Sequence, residues 1–155
     1  MTDVPALADN RLDSVDHVIQ RHGPVNSLEE AASLRGVDPS AVIKTMVVRT
    51  GENQYVFVLV PGDRVIDWPK LRDHLGLRRL TMPDAEEALA VTGYERGTIT
   101  PFGATTQWPV IADVRLTEGT VSVGGGAHGV SISIDGMVLA GVLDAAVVDV
   151  TKPSA

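Results

Sequence analysis

The sequence predicts an α+β fold in a single domain, and three observations predict it. Two apolar runs rich in β-branched residues, Met46 to Arg49 and Tyr55 to Pro61, flank a polar segment holding Gly51 and Asn53. That is the pattern of a β-hairpin with at least one largely buried strand. Short stretches framed by helix-start and helix-stop residues lie on either side of the hairpin. Farther on, Val130, Ile132 and Ile134 alternate with Ser131 and Ser133, as a half-buried strand does.

Taken in order, Leu12, Val15, Val18 and Ile19 recur at helical spacing, so a helix is expected from Asp13 to Gly23, stopped by Gly23-Pro24. Ser27 opens a second helix as N-cap, with Glu30 at the capping-box position and Gly36 as its stop. Asp38-Pro39-Ser40 starts a brief helical turn that delivers the chain to Lys44. Past the hairpin, Pro61-Gly62-Asp63 turns the chain, and Asp67 caps a short helix through Leu71 and Leu75 that Gly76 closes. Pro83-Asp84 begins another helix, ended by Gly93. The pairs Glu29-Glu30 and Glu86-Glu87 fall in first turns, where carboxylates favour the helix dipole.

Gly97 to Gly103 is a loop with glycine at both ends and proline near its middle. Val110 to Leu116 and Val121 to Val123 read as strands, interrupted by Gly124-Gly125-Gly126. Met137 to Leu143 reads as a short helix and Ala146 to Val150 as a last strand. With no internal repeat or linker, one domain is expected over 1–155, with 1–12 and 151–155 frayed.

A chain of 155 residues, 44% of them hydrophobic, buries a core without staples. The absence of cysteine excludes a disulfide framework, a thiolate metal site and a cysteine nucleophile. The acidic start of the chain has no long apolar core, so neither a secretory signal nor a transit peptide is expected. No stretch approaches the roughly 18 consecutive apolar residues of a membrane span. The expected location is the cytoplasm, with no membrane partner. A net charge of −7 argues against coating nucleic acid by bulk electrostatics. Arg64, Lys70, Arg72, Arg78 and Arg79 read singly as solvated charges, and only as a cluster suggest an anionic partner.

His17, His22, His74 and His128 show no metal-ligand spacing, so no metal site is expected. Neither a G-x-S-x-G elbow nor a phosphate-binding glycine fingerprint is present. The conspicuous polar residue is Lys44, flanked by Val42, Ile43, Met46, Val47 and Val48. An ammonium group among such neighbours loses hydration worth several kcal/mol unless something anionic or polar meets it. The glycines of GTITPFG and GGGAHG let backbone amides approach a ligand closely; equally, they suit a tight loop and a β-bulge.

Four segments, SLEEAASLRGVDPSAVIKTMVVR, YVFVLVPGDRVIDWPKLRDHLG, MPDAEEALAVTGYERGTITPFG and GGGAHGVSISI, follow one another in this chain. In order and spacing the chain, from about Ser27 to Val150, resembles the YbaK/prolyl-tRNA-synthetase-associated editing domain family. The resemblance implies a small α+β domain with a twisted mixed sheet and surrounding short helices. It implies a trans-editing hydrolase that cleaves the ester joining a small mischarged amino acid to the 3′ end of a tRNA. Lys44 takes the position of the family's lysine, Gly97 to Pro101 fits its GxxxP loop, and Gly124 to Gly126 with His128 fall on its second glycine-rich loop.

By that resemblance Lys44, Gly97, Thr100 and Pro101 are the expected catalytic residues. Thr45, Ile99, Phe102, Gly103, Gly125, Gly126 and His128 are the expected substrate-binding ones. Neither metal nor cofactor is implied, since ester hydrolysis needs a positioned water and stabilisation of an oxyanion. The substrate's vicinal ribose hydroxyl is implied to help activate the water. Met46, Val58 and Ile99 are candidate pocket-lining groups and equally good core residues. The family's alanine-editing branch carries asparagine after the lysine; Thr45 stands there in this chain, which points toward a Cys-tRNA(Pro)-like or unassigned specificity. The implied partners are the mischarged tRNA and, beyond it, a prolyl-tRNA synthetase, with the oligomeric state left open. Two other readings stay open: a catalytically silent module that binds aminoacyl-tRNA or a synthetase, and a hydrolase of small acyl esters unrelated to tRNA.

Overall fold

A computed structural model describes residues 5–23 and 27–154. Its strands are β1 (Val18–Arg21), β2 (Val42–Gly51), β3 (Gln54–Pro61), β4 (Arg64–Ile66), β5 (Val110–Asp113), β6 (Thr120–Gly124), β7 (Val130–Asp135), β8 (Ala146–Val148) and β9 (Thr151–Pro153). Four α-helices accompany them among the described residues: α1 (Leu28–Arg35), α2 (Trp68–Leu75), α3 (Ala85–Thr92) and α4 (Gly136–Val142). Seven strands form one sheet in the order β1-β7-β6-β2-β3-β5-β8, and β4 pairs with β9 in a second. The large sheet is mixed: β2 runs parallel to β6, β3 to β5 and β5 to β8, and the remaining pairs are antiparallel.

The hairpin is its spine because β3 is buried on both faces. Phe57 and Leu59 enter one core with Ile43, Val47, Phe102, Val123 and Ile132. Val56, Val58 and Val60 enter another with Val48, Leu71, Ile111 and Val150. A strand covered on both sides loses the apolar–polar alternation and becomes a continuous hydrophobic run, which is how YVFVLV reads.

The helices follow their caps. Ser27 Oγ accepts from the Glu30 amide at 3.0 Å, and Asp67 and Asp84 cap α2 and α3 in the same way. Gly36, Gly76 and Gly93 end α1, α2 and α3 in the left-handed conformation.

Elsewhere the expected elements need correction. The helix expected from Asp13 to Gly23 is a 3-10 turn at Asn10–Leu12 followed by the strand β1; Pro24, its expected stop, lies outside the described residues. Leu12 is buried in the core whereas Val18 is exposed, so the helical spacing joined residues serving different elements. The strand expected from Val110 to Leu116 stops at Asp113 and continues as a 3-10 turn, Val114–Thr117, which Asp113 caps. The strand expected from Ala146 to Val150 is the shorter β8. Nor are the described ends frayed: β9 pairs with β4 in register Ile66↔Thr151, Val65↔Lys152 and Arg64↔Pro153, and Ala6 is buried in a 3-10 turn at Pro5–Ala8.

Asp9 fixes that N-terminal segment. Its carboxylate accepts from the Arg11 amide and guanidinium and, at 2.8 Å, from the Gly103 amide. The Arg11 hydrogen bond, above all, holds the Asp9 carboxyl down at about 2, against an ordinary 3.8. A carboxyl depressed in the folded state contributes stability that is present above its unfolded value and lost as pH falls through its folded one. The expected result is a loss of stability between pH 3.8 and about 2 that Asp9→Asn flattens, read by circular dichroism during acid titration. An unchanged acid limb in Asp9→Asn would exclude this clamp as its source.

Candidate active site

The pairing of β2 opens the site. On one edge β2 meets β6 only at Val42↔Ser122 and Ile43↔Val123, and the next partner on its course is an isolated bridge, Arg49↔Thr81. Between these two contacts lies a cavity of about 350 Å³, in the size range of small-molecule sites. Val42 to Val47 form its floor. Gly97 and Ile99, from the loop after α3, and Gly124, at the end of β6, form one wall; Met82, Pro83 and Ala88 form another. Arg35 and Arg96 complete the lining. The cavity is thus lined by three cations and no carboxylate, in a chain whose net charge is −7.

Side chains alternate across the strand, so consecutive residues reach this crevice from opposite faces. Lys44 shares the face of Met46 and Val48. Its ammonium donates to the Arg64 carbonyl at 2.6 Å, the polar partner its apolar surroundings demand. Burial pushes the Lys44 pKa below the ordinary lysine value, opposed by the nearby Asp63 charge. Thr45 lies on the face of Ile43 and Val47, and its Oγ1 is buried without a hydrogen-bond partner among the described residues. Gly97, which is exposed, and Ile99 bring the backbone of the loop after α3 to the cavity wall. Gly97 adopts φ +90, and a Cβ there would lie 3.3 Å from the His128 ring, which crosses from the second glycine-rich loop.

Of the residues tied to the site in the sequence, the cavity brings together Lys44, Thr45, Met46, Gly97, Ile99 and Gly124. The rest of the first glycine loop faces elsewhere. Thr100 is fully buried and its Oγ1 accepts from the Phe102 amide. The Pro101 carbonyl accepts from Arg11, whose guanidinium also sits 5.5 Å over the ring of Phe102. Tyr94 donates its hydroxyl to the Phe102 carbonyl at 2.6 Å, and burial, with the Asp9 charge behind it, pushes that phenol up to about 12. Gly103, at φ +68, packs so closely on Pro5 that a Cβ would fall 2.4 Å from its backbone. This back half of the loop is moored to the N-terminal segment, and the mooring holds the front half against the crevice.

On the second loop it is Gly124 that lines the cavity. Gly125 closes the β6–β7 turn through its amide bond to the Val130 carbonyl, at 2.9 Å, and Gly126 follows at φ +91. His128 is exposed and pairs with Glu95 at 3.1 Å, a link between the two loops. Val58 is wholly buried on the α2 side and does not line the cavity. Of the basic residues grouped in the sequence, Arg64 bonds Thr151, Lys70 pairs with Asp149, and Arg72 and Arg78 border a separate depression beside α2. His17, expected on a helix, precedes β1 with its Nδ1 2.9 Å from the Val15 carbonyl. No cluster of three potential metal-ligating side chains occurs among the described residues.

Arg35 and Arg96 went unread in the sequence. Arg35 occupies the last turn of α1, where a cation is already explained by the helix dipole. The local signal was therefore satisfied before any site was invoked. Only the return of β6 beside β2 shows that the same guanidinium faces a cavity.

Fold and crevice define a mixed-sheet α+β domain with a cation-lined cavity of small-molecule size. Over residues 22–141 the chain matches the model of the aminoacyl-tRNA editing domain, and it belongs to that family. The "Putative Cys-tRNA(Pro)/Cys-tRNA(Cys) deacylase EbsC" of Enterococcus faecalis is 28% identical over 109 residues, 70% of this chain and 66% of that protein. The proline–tRNA ligase of Trichlorobacter lovleyi is 33% identical over 90 residues, which cover 58% of this chain and only 16% of the ligase. A crystal structure described as a putative trans-editing enzyme for prolyl tRNA synthetase superposes with a TM-score of 0.84 at 22% identity, covering 98% of this chain and 99% of the other. That likeness shows the fold, which is the one the ordered segments of the sequence imply. No helix among the described residues is long and apolar enough to cross a membrane.

Proposed function

We propose that the chain is a trans-editing aminoacyl-tRNA deacylase, which hydrolyses the ester of a small mischarged amino acid at the 3′ end of a tRNA. The observation that carries this reading is the crevice itself: three cations and no carboxylate beside a glycine-bearing loop, within a domain of the editing family. Water adds to the ester carbonyl carbon, the bond to the ribose oxygen breaks, and that oxygen leaves with a proton. The protein's task is to place the ester and to stabilise the oxyanion, for which backbone amides at Gly97 and Ile99 are suited. Lys44, fixed by the Arg64 carbonyl, sets a positive charge at the floor.

The leading substrate is cysteine on tRNA(Pro), supported by the described activity of the Enterococcus relative and by Thr45 after the lysine. A pocket separates amino acids differing by one methylene by only about 1–3 kcal/mol, so an editing site of this kind supplies a second sieve. Action in the cytoplasm alongside a prolyl-tRNA synthetase belongs to the same proposal. The test is a panel of tRNA(Pro) charged with cysteine, alanine or proline, with ester half-life followed by loss of labelled amino acid. Faster hydrolysis of Cys-tRNA(Pro) than of Pro-tRNA(Pro) is expected. Tight binding of every member with no turnover would replace the enzyme by a binding module, and equal turnover of free aminoacyl esters would remove the tRNA from the account.

A further inference from the structure

The three cations of the crevice are not equivalent. Arg96 is exposed and hydrated, and the Lys44 ammonium already has the Arg64 carbonyl. Arg35 is different. Its stem rises from the last turn of α1, which Gly36 terminates, and its Nη1 donates to the buried Ser122 hydroxyl at 3.3 Å. Its Nε is buried without a hydrogen-bond partner among the described residues, and no carboxylate lies within ion-pair distance of it there.

The register shows where this guanidinium sits. Val42 faces Ser122 across the β2–β6 pair, so the two side chains share a face, and Lys44, two residues on, shares it as well. Arg35 therefore stands on the Lys44 side of the crevice, at the point where β2 and β6 part. A guanidinium held in place and partly stripped of water, facing a cavity without acids, matches a phosphate better than any neutral group. The dipole of α1 stabilises a cation at this end but places no demand on which way it faces.

We propose that Arg35 binds the 5′-phosphate of the substrate's terminal adenosine, and so positions the nucleotide whose ester is cleaved. The proposal rests on the deacylase reading, and it assigns Arg35 to binding, not to the chemical step. Burial, which lowers the Arg35 pKa, agrees with a cation whose counter-charge arrives with the ligand.

The experiment compares adenosine 5′-monophosphate, adenosine and inorganic phosphate by calorimetric titration against the wild-type chain, Arg35→Met and Arg35→Gln. The wild type is expected to bind the monophosphate roughly 10–100-fold more tightly than adenosine, the worth of a charge-assisted contact. Both variants are expected to lose that preference while binding adenosine as before. On Cys-tRNA(Pro), KM should rise by a similar factor with kcat held, the signature of a contact made equally in ground and transition states. A thermal scan identifies a variant that has lost its fold through the missing Ser122 bond, in which case the other variant decides. Equal affinity of the wild type for monophosphate and adenosine overturns the proposal, as does a preference that survives both substitutions. Inorganic phosphate binding as tightly as the monophosphate overturns it too, since the site would then hold an anion without its nucleoside. If the wild type prefers the monophosphate yet hydrolyses no mischarged tRNA, the deacylase reading fails by itself and the phosphate site stands.

Discussion

Lys44→Ala is expected to slow hydrolysis of Cys-tRNA(Pro) by about 10²–10³, as the loss of one oriented, desolvated donor does in other acyl-transfer sites. The cause is geometric as much as electrostatic. The β2–β3 pairing sets Lys44 opposite Val60, and the ammonium is drawn to the Arg64 carbonyl on β4. That carbonyl is in turn fixed by the pairing of β4 with β9. One donor hydrogen is thereby committed, the ammonium is pinned at the cavity floor, and its remaining donors are left for substrate. Removing the side chain should barely affect stability, because the energy of one hydrogen bond is offset by relief from a partly buried charge; a change within about 1 kcal/mol is expected. Lys44→Arg should not rescue the rate, since a planar guanidinium cannot take the compact position of an ammonium beside the Arg64 carbonyl. Single-turnover hydrolysis and a thermal scan of the same preparations separate the two effects. Should Lys44→Ala hydrolyse within a few-fold of wild type, the lysine is only a tie between β2 and β4, and the positive floor has no part in the chemistry.

What could be read in the sequence were the features whose signal is local. Ser27, Asp67 and Asp84 each bond an amide three residues ahead, and Gly36, Gly76 and Gly93 each supply a left-handed turn, so α1 to α3 were legible from neighbouring residues alone. The hairpin was legible because burying β3 on both faces imposes a run of apolar residues. What escaped were elements defined by distant partners. β1 is four residues long and exists because Val18 to Arg21 lie against Ser133 to Val130; nothing within VIQR distinguishes it from a helical turn. β9 contains a proline and no apolar alternation, and it is a strand only because β4 lies beside it. The site divides along the same line. Lys44 stood out as a cation in an aliphatic run, whereas Thr100 to Gly103 were assigned to the site by resemblance, and nothing local in the sequence announces their contacts with Asp9 and Arg11. Arg35 was invisible because a helix end already accounts for a basic residue.

Asp113→Ala is expected to destabilise the fold by about 2–4 kcal/mol, the cost of leaving two neutral buried donors unmet and a large share of the roughly 5–15 kcal/mol that holds a domain of this kind together. Asp113 ends β5 wholly buried, and its carboxylate has partners on every side. It accepts from the Arg115 amide and guanidinium, from the Val150 amide at 3.2 Å, and from the Thr151 hydroxyl at 2.9 Å. Alanine would leave the Val150 amide and the Thr151 hydroxyl unmet in the interior, and these unmet buried donors, more than the lost bonds, set the size of the effect. Arg115 would keep Asp149 at 2.8 Å, so the damage should concentrate on Val150 and Thr151. Thr151 also accepts from Arg64 Nε at 2.7 Å, and the Arg64 carbonyl holds Lys44 at 2.6 Å. The chain of contacts from Asp113 to Lys44 therefore predicts a second result, read from protein that remains folded at low temperature: a deacylation rate reduced along with stability, although Asp113 does not line the cavity. Asp113→Asn retains one acceptor oxygen but turns a donor toward Arg115, so it should fall between alanine and wild type in both measurements. Urea unfolding gives the stability and single-turnover hydrolysis the rate. A loss below 1 kcal/mol in Asp113→Ala would mean the carboxylate is dispensable to the fold, and a full rate in the destabilised variant would mean that Lys44 is placed by the β2–β3 pairing alone.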